Sequence, residues 1–428
     1  MQRTLSVQLS TRTDRTVRIA GWVHRRRLLK SVAFLVVRDA TGLAQVVVTD
    51  PAVRATVEAL TEETVVEVTG TVTANASAPA GVELTGPVVR PLGPNAVPSP
   101  FDLFRPELTA TLPTQLDHAP LALRHPRRSA ALRVSAAAVA GFRATLDARG
   151  FTEIHTPKIV GSATESGANV FALDYFGRPA YLAQSPQFYK QLMVGALERV
   201  YEVGPVFRAE PHDTARHLAQ YTSLDAELGF VTDHRDVMAV LRDTLAGLLG
   251  TVVDRAGPAL RTLGVTVPGV PAEIPAVSFP EALGIAGAPP DEPDLAPAHE
   301  RALGEWARRE HGSEFVYVTG YPMAKRPFYT HPDPARPGYS NGFDLLFRGV
   351  ELVTGGQRLH RHADYLAALA ARGEPVGPYA DYLAAFRHGL PPHGGFAIGL
   401  ERLVARLTGA SNVREVTAFP RDLHRLTP

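Results

Sequence analysis

The first hundred residues alternate between apolar and polar positions in short runs. Val17 to Val23 alternates with a period of two, which is the period of a half-buried strand. Four further runs of this kind lie at 33–38, 43–49, 64–72 and 82–89. The turn sequence DATG joins the first two of them as a hairpin. Five short strands in about a hundred residues indicate a small Greek-key barrel.

The pattern changes after this segment. Prolines recur from Pro91 to Pro126, which indicates a hinge or linker with little regular structure. Apolar residues then return at helical spacing between Arg127 and Arg149, and Gly150 ends that helix. A second amphipathic helix is predicted at 233–261, whereas 264–298 is rich in proline and glycine and gives no clear prediction. We expect a barrel domain at 1–100, a linker at 101–126 and an α+β domain at 127–428.

One predicted hairpin, Tyr201 to Gly229, carries an unusual number of charges around its loop. The order is Phe-Arg-x-Glu, then Arg216-His217, then Tyr221, then Asp-x-Glu. A solvated hairpin tip is the simplest interpretation of a charged loop. The alternative is a phosphate-bearing ligand, because the arginine fork matches pairs of phosphate oxygens.

Composition narrows the class of protein. The chain has 428 residues, a formal net charge of +1 and no cysteine. Disulfides, thiolate zinc sites and cysteine nucleophiles are therefore excluded, and nucleic acid would have to bind through local basic patches. No signal-peptide core and no run of about 18 apolar residues occurs, so we expect a cytoplasmic protein without a membrane span.

Three stretches together resemble the class II aminoacyl-tRNA synthetases. The charged hairpin is similar to motif 2 of that family. Gly150 to Val160 is similar to motif 1, with its proline at Pro157, and Gly394 to Leu403 is similar to motif 3, with its arginine at Arg402. The resemblance implies a fold of class α+β, with an N-terminal five-stranded OB-type barrel and a catalytic domain whose antiparallel sheet is flanked by helices. It also implies a homodimer through motif 1.

Within this family the chain is most similar to the compact aspartyl-tRNA synthetases. Those enzymes attach aspartate to tRNA through an aspartyl-adenylate, with ATP as substrate and Mg²⁺ as cofactor. By resemblance, Arg208, Glu210 and Arg402 are the catalytic residues. The ATP-binding residues implied are Arg208, Glu210, Arg216, His217, Leu218, Tyr221, Glu351, Gly399, Leu400, Glu401 and Arg402. The metal ligands implied are Glu351 and Thr354, with Asp344 as a further position.

The run Gln184 to Lys190, QSPQFYK, resembles the aspartate-binding segment of aspartyl enzymes. The aspartate-binding residues implied are Glu165, Gln187, Lys190, Arg208, Asp225, Thr354 and Arg358. Glu165 belongs to a small, glycine-rich stretch that suits a flap over a ligand. Asparagine would leave Lys190 and Arg358 short of an anion. Breaking a buried ion pair costs about 3 to 5 kcal/mol, so this pocket favours aspartate.

The barrel resembles the anticodon-binding domain of the same enzymes. From the residues alone, Phe34 is either a barrel core side chain or a base-stacking one. By resemblance the anticodon-binding residues are Arg27, Phe34, Gln45 and Glu83. Relatives that charge both tRNA-Asp and tRNA-Asn tend to carry a histidine and a small residue or proline in two barrel loops, and His24 and Pro79 fit those positions.

We therefore expect an enzyme that charges both tRNA-Asp and tRNA-Asn. An amidotransferase would then have to convert the aspartate carried by tRNA-Asn. Two alternatives stay open at this point. One is a strictly discriminating aspartyl-tRNA synthetase, and the other is an inactive relative that only binds tRNA. Retention of Arg208, Glu210, Glu351 and Arg402 argues against the inactive relative.

Overall fold

Five strands in the described part of the chain close into a barrel, as the alternating pattern predicted. The computed structural model describes residues 2–162 and 170–427, and the chain separates into two units, Met1–His125 and Pro126–Pro428. The barrel strands are β1 (Thr16–Leu28), β2 (Ala33–Arg38), β3 (Leu43–Val48), β4 (Val65–Ala74) and β5 (Val82–Pro91). They are hydrogen-bonded in the order β1-β2-β3-β5-β4. Helix α1 (Pro51–Ala59) follows β3, and the Asp50 carboxylate caps its first turn.

The barrel encloses an aliphatic core. Whether Phe34 is a core side chain or a base-stacking one depends on the face of β2 on which it lies. Ala33 and Leu35 are completely buried among the valines of the interior. Phe34 lies between them on β2, so its side chain points to the opposite face of the strand and is half-buried. Phe34 is therefore an outward-facing aromatic and not a core residue.

The segment predicted as a linker with little regular structure contains helices in the structure. Residues 101–125 belong to the first unit and contain two short helices, α2 (Leu112–Asp117) and α3 (Ala119–Ala122). Phe101 and Leu103 pack with Ala122 in a small cluster. Both helices carry proline in their first turn, where the missing N–H costs nothing. Prolines that indicated broken structure thus mark helix starts.

The second unit is built on an eight-stranded sheet within the described residues, with the order β12-β13-β16-β17-β18-β11-β10-β6. Its strands are β6 (Thr152–Glu153), β10 (Arg199–Phe207), β11 (Gln220–Gly229), β12 (Ala276–Ser278), β13 (Phe315–Thr319), β16 (Gly342–Phe347), β17 (Val350–Arg358) and β18 (His393–Gly399). Two small sheets accompany it, formed by β7 (Ile159–Val160), β8 (Ala172–Tyr175) and β9 (Arg178–Leu182), and by β14 (Pro332–Asp333) and β15 (Arg336–Ser340). The central strands β16, β17, β18, β11 and β10 pair antiparallel, as expected for the fold class.

Helices flank this sheet. They are α4 (Pro126–Asp147), α5 (Gln187–Leu197), α6 (His234–Leu263), α7 (Phe279–Ala286), α8 (Pro297–His311), α9 (His362–Arg372), α10 (Ala380–Ala385) and α11 (Leu400–Thr408). Helices α4 and α6 share the main core with the sheet. They approach closely because Gly141 faces the Leu248 backbone, where an added Cβ would lie 2.8 Å from its Cα. The two helices predicted from apolar spacing are confirmed to within a few residues.

Two other segments differ from the sequence expectation. The strand pattern after Gly150 placed Pro157 within an edge or interface strand, but the residue lies between β6 and β7, just after the edge strand of the large sheet. The stretch 264–298, which gave no prediction, contains β12, α7 and the start of α8. Ser278 and Glu281 form a capping box at the start of α7, a local signal that composition had obscured.

Among the described residues, no helix is both long enough and apolar enough to cross a membrane.

Candidate active site and nucleic-acid interface

The antiparallel hairpin β10–β11 presents the charged loop predicted from the sequence. Phe207 pairs with Gln220 at the end of the ladder, and the residues between them form the loop. Arg208 leaves β10 immediately after the last pair, and Tyr221 enters β11 opposite Val206. The Arg208 guanidinium lies 5.7 Å from the centre of the Tyr221 ring. An arginine and an aromatic ring are thus held together at the base of the loop.

A cavity of about 250 Å³ opens beside this hairpin. Fifteen of the residues predicted for ATP or aspartate binding line it: Gln187, Lys190, Arg208, Glu210, Arg216, His217, Leu218, Tyr221, Asp225, Glu351, Thr354, Arg358, Gly399, Glu401 and Arg402. These residues come from α5, the loop and second strand of the hairpin, β17, the end of β18 and the start of α11. The fold therefore brings into one cavity side chains that are more than 200 positions apart in the sequence.

Two arginines at one end of the cavity are each held by a carboxylate. Arg402 Nη1 donates to the Glu351 carbonyl oxygen at 2.8 Å and to Glu351 Oε1 at 3.3 Å. Arg216 Nη1 donates to Glu300 Oε2 at 3.1 Å. Both guanidinium groups keep further N–H groups available, since each carries five donors. This end of the cavity has the composition of a phosphate-binding site.

Other charged residues of the hairpin loop make longer contacts. His217 Nε2 lies 3.5 Å from Glu210 Oε2, and Arg208 Nη1 lies 3.9 Å from Glu210 Oε1. Burial lowers the pKa of His217, although Glu210 opposes that effect. Glu401 lines the cavity, and both of its carboxylate oxygens accept the Thr222 N–H at 3.0 Å. Glu401 therefore anchors α11 to β11.

The predicted metal ligands lie on β16 and β17, where Asp344 pairs with Thr354. Glu351 and Thr354 line the cavity, whereas Asp344 is 4% exposed and its Oδ2 accepts from Arg326 at 3.0 Å. Asp344 Oδ1 is buried without a hydrogen-bond partner, and burial together with repulsion from Asp344 raises the pKa of Glu351. Arg326 and Arg402 balance these two carboxylates, and no cluster of three or more histidine, aspartate or glutamate side chains among the described residues could hold a metal ion. Mg²⁺ is usually bound by one or two carboxylates together with substrate phosphates, and the oxygen atoms of Glu351 and Thr354 are donors of that kind.

The opposite end of the cavity contains four buried charges. Lys190 Nζ donates to Asp225 Oδ1 at 3.0 Å and lies 3.3 Å from Glu227 Oε2. Arg358 Nε donates to Glu227 Oε1 at 3.1 Å. Burial alone would raise the pKa of Glu227, but Arg358 and then Lys190 outweigh it and hold that pKa below its usual value. Two cations and two anions thus balance one another.

This balance corrects one sequence expectation. The pocket was expected to leave Lys190 and Arg358 short of an anion if asparagine bound. In the structure Asp225 and Glu227 already neutralise them, and Glu227, which is completely buried, had been given no role. The two cations are therefore already paired without a bound amino acid.

The predicted anticodon residues form one connected group on the outer face of the barrel. The Arg27 guanidinium lies 5.0 Å from the centre of the Phe34 ring and donates to Gln45 Oε1 at 3.1 Å. Gln45 Nε2 in turn donates to Glu83 Oε2 at 2.9 Å. Asn75, which the sequence had not indicated, donates to the same Glu83 oxygen at 2.8 Å. A cation, an aromatic ring and amide groups are thus arranged side by side, as base binding requires.

His24 and Pro79 lie in different surroundings. His24 is 7% exposed, and its Nδ1 is 3.0 Å from Arg38 Nη1, which also donates to Glu63. Burial, and next the Arg38 charge, lower the pKa of His24 to about 4. Pro79 begins a short 3₁₀ turn before β5 and is half-buried. Pro79 is thus more exposed than His24.

Two predicted residues lie outside this description. Glu165 falls within 163–169, beyond the described residues. Leu400 is buried at the start of α11 and does not line the cavity.

Comparison with known proteins agrees with this geometry. Residues 111–423 match the family described as tRNA synthetases class II (D, K and N). The chain belongs to this family. Residues 17–92 match a second family, the OB-fold nucleic acid binding domain, which confirms the predicted barrel.

Similar proteins of full length place this class II synthetase among the aspartyl enzymes. It is 44% identical to the aspartate–tRNA(Asp/Asn) ligase of Thermus thermophilus, with all of both chains covered. It is also 44% identical to the ligase of the same name from Deinococcus radiodurans, covering 100% of this chain and 99% of the relative. These findings confirm membership of the aspartyl-tRNA synthetase family.

Solved structures share the fold of this synthetase. The asparaginyl-tRNA synthetase of Pyrococcus horikoshii, crystallised with asparaginyl-adenylate, superimposes with a TM-score of 0.93 at 30% identity, and both chains are covered completely. A putative aspartyl-tRNA synthetase from Leishmania major gives a TM-score of 0.87 at 28% identity, covering 100% of this chain and 95% of the other. The fold is thus common to aspartyl and asparaginyl enzymes.

Proposed function

We propose that this synthetase ligates L-aspartate to both tRNA-Asp and tRNA-Asn, with ATP as the source of energy. The observation that carries the amino-acid choice is the buried cluster of Lys190, Asp225, Glu227 and Arg358 at one end of the cavity. Relatives named for both tRNAs, at 44% identity over the full length, support the tRNA choice.

Aspartate fits the cluster through an exchange of partners. Its ammonium group would take Asp225, which Lys190 holds in the free protein. Lys190, once released, and Arg358 would then receive the side-chain carboxylate. Asparagine supplies the same ammonium but no second anion, so Lys190 and Arg358 would be left to share the single charge of Glu227. Leaving one buried charge uncompensated costs about 3 to 5 kcal/mol, which selects against asparagine.

The first chemical step needs no protein nucleophile, because the protein has only to align aspartate with ATP. The aspartate α-carboxylate attacks the α-phosphorus of ATP, the bond to the bridging oxygen breaks, and pyrophosphate leaves. Arg208 would bind the α-phosphate beside the carboxylate, Tyr221 would stack on the adenine, and Arg216 and Arg402 would bind the outer phosphates. Glu351 and Thr354 would hold Mg²⁺, which screens the charge of the triphosphate when bound.

In the second step a ribose hydroxyl at the 3′ end of tRNA attacks the aspartyl carbonyl carbon, and AMP leaves. The barrel supplies the choice of tRNA, with Phe34 stacking on an anticodon base and Arg27, Gln45 and Glu83 contacting base edges. Pro79 offers no hydrogen-bonding side chain at its loop, which removes one contact able to distinguish the two anticodons. Aspartate carried by tRNA-Asn would then be the substrate of an amidotransferase.

We also propose that the enzyme is a homodimer through residues 150–160. Strand β6 lies at the edge of the large sheet and is followed by Pro157, so this edge is suited to a second chain. Light scattering of the purified protein gives the test, and a monomer at micromolar concentration would refute it.

Aspartylation of tRNA-Asp and tRNA-Asn transcripts, measured side by side at fixed salt, tests the proposed function. Comparable kcat/KM values for both would support it. A preference of about a thousandfold or more for tRNA-Asp would leave a discriminating aspartyl enzyme. Charging with asparagine in place of aspartate would overturn the amino-acid assignment.

A further inference from the structure

We infer that Glu300, a buried residue of α8 that lies outside the cavity wall, positions the phosphate-binding end of the site. The inference rests on the proposed function, because it assigns ATP to that end. Glu300 is 6% exposed and its side chain does not line the cavity. It is therefore a positioning residue that acts through others.

A single oxygen of Glu300 connects two elements of the site. Oε2 accepts from Arg216 Nη1 at 3.1 Å, and the same oxygen accepts the Glu351 N–H at 3.1 Å. Arg216 belongs to the hairpin loop, whereas Glu351 stands near the start of β17. Glu300 thus fixes a phosphate-binding arginine relative to a metal-binding glutamate.

The connection extends one residue further. Arg402 of α11 donates to the carbonyl oxygen of Glu351 at 2.8 Å. Arg216, Glu300, Glu351 and Arg402 therefore form a continuous chain of hydrogen bonds across the loop, α8, β17 and α11. Removing Glu300 would break this chain in the middle and leave Arg216 without the ion pair that orients it.

The backbone holds Glu300 in place. Gly304, one turn further along α8, faces Gly349 in the turn between β16 and β17, and an added Cβ on Gly304 would lie 2.6 Å from the Gly349 Cα. Gly349 has a φ of +69°, a conformation that favours glycine. Two glycines thus bring α8 into direct backbone contact with the turn that precedes Glu351. This packing gives Glu300 a fixed distance to its partners.

The hydrogen bond between Arg216 and Glu300 allows Glu300 to support ATP binding without competing with ATP for Arg216. Arg216 uses Nη1 for Glu300, so the remaining donors of its guanidinium stay available for a phosphate. ATP can then bind Arg216 while the ion pair to Glu300 persists. If this ion pair had to break before ATP could bind, removing Glu300 would instead strengthen ATP binding.

The test compares Glu300→Ala and Glu300→Gln with Glu305→Ala, which removes an exposed acid on the same helix. Calorimetry measures ATP binding directly, and aspartate-dependent ATP–pyrophosphate exchange gives KM for both substrates. We expect Glu300→Ala to weaken ATP binding about tenfold, the low end for loss of a charge-assisted hydrogen bond. The KM for aspartate should not change. Glu300→Gln keeps an acceptor and should lose about threefold, and Glu305→Ala should behave as the parent.

A double-mutant cycle separates this role from a general structural one. If Glu300 acts through Arg216, Glu300→Ala should weaken ATP binding less in an Arg216→Ala background than in the parent. Unchanged or tighter ATP binding in both Glu300 variants, or full additivity with Arg216→Ala, would overturn the inference. If Glu300→Ala fails to fold, Glu300→Gln decides. Absence of exchange in the parent enzyme would refute the proposed function, while calorimetry with ATP would still test Glu300.

Discussion

Arg358 and Glu227 form an ion pair of 3.1 Å in which the carboxylate is completely buried and the guanidinium nearly so. Because Lys190 lies 3.3 Å from the same carboxylate, Glu227 is shared by the two cations that would recognise aspartate. The charges of this cluster are therefore balanced in the structure, and under the proposed function aspartate would bind by rearranging its ion pairs.

Variants of Arg358 distinguish its role in aspartate binding from its role in the stability of the protein. We expect Arg358→Gln to raise the KM for aspartate at least about a hundredfold and to lower the unfolding temperature, since it breaks a buried pair worth about 3 to 5 kcal/mol. The double variant Arg358→Gln/Glu227→Gln should recover the unfolding temperature but not the KM. Arg361→Gln, at an exposed arginine three positions away, is the control. An equal rise in the KM for ATP would contradict a role limited to aspartate.

The phosphate end should depend on Glu351 for its metal. We expect Glu351→Gln to raise the Mg²⁺ concentration for half-maximal pyrophosphate exchange by at least the roughly tenfold that loss of an outer partner produces. Chelation of Mg²⁺ should abolish exchange in the parent enzyme. Glu310→Gln, which changes an exposed acid on α8, serves as the control. An unchanged Mg²⁺ requirement in Glu351→Gln would exclude this residue as a ligand.

Phe34 should contribute to tRNA binding and not to activation of aspartate. Stacking of one base on an aromatic side chain contributes about 1 to 3 kcal/mol, so we expect Phe34→Ala to raise the KM for tRNA about fivefold to a hundredfold. Pyrophosphate exchange should stay at the parental rate. Val88→Ala, on the exposed surface of β5, gives the matched control. A parental KM for tRNA in Phe34→Ala would show that bases bind elsewhere.

His24 should make the barrel sensitive to acid. Its folded pKa of about 4 lies below the ordinary value of 6.5, so the unfolded chain binds the extra proton first. The stabilisation is therefore complete above about pH 6.5 and is lost as the pH falls towards 4. His24→Gln should lose less stability over this range.

The two tryptophans allow this change to be followed in the whole protein. Trp22 lies in β1, two positions from His24, and Trp306 lies in α8, so Trp306→Phe leaves a reporter in the barrel alone. Urea unfolding of that variant at pH 7 and pH 5, with and without His24→Gln, gives the comparison. Equal losses of stability with and without His24 would assign the acid sensitivity to other groups.

Much of the site was predictable because the family motifs lie on neighbouring elements. The resemblance to motif 2 named Arg208, Tyr221 and Asp225, which lie on one hairpin in the structure. The resemblance also named Asp344, Glu351 and Arg358, which lie on the paired strands β16 and β17. Glu227 appeared in the sequence only as the last residue of the Asp-x-Glu pattern and was given no role, because its partners Lys190 and Arg358 lie on other elements of the fold.

Glu300 was missed for a related reason. It lies on a helix whose start was obscured by proline-rich sequence, and its partners are 84 and 51 positions away. Proline likewise gave a wrong prediction of little regular structure at 101–125, where it lies in the first turns of α2 and α3. Composition reports the presence of a helix breaker, whereas only the position of the proline within the turn decides whether a helix begins there.

The contact between Gly304 and Gly349 implies that the phosphate end of the cavity moves less than the aspartate end. The phosphate end is held by backbone packing and by a hydrogen-bonded chain that form during folding, so ATP meets groups that are already ordered. At the other end, the proposed binding of aspartate would exchange ion pairs each time a substrate enters. Motion during the catalytic cycle should therefore be concentrated around Lys190, Asp225 and Glu227, while α8 and the turn at Gly349 stay still.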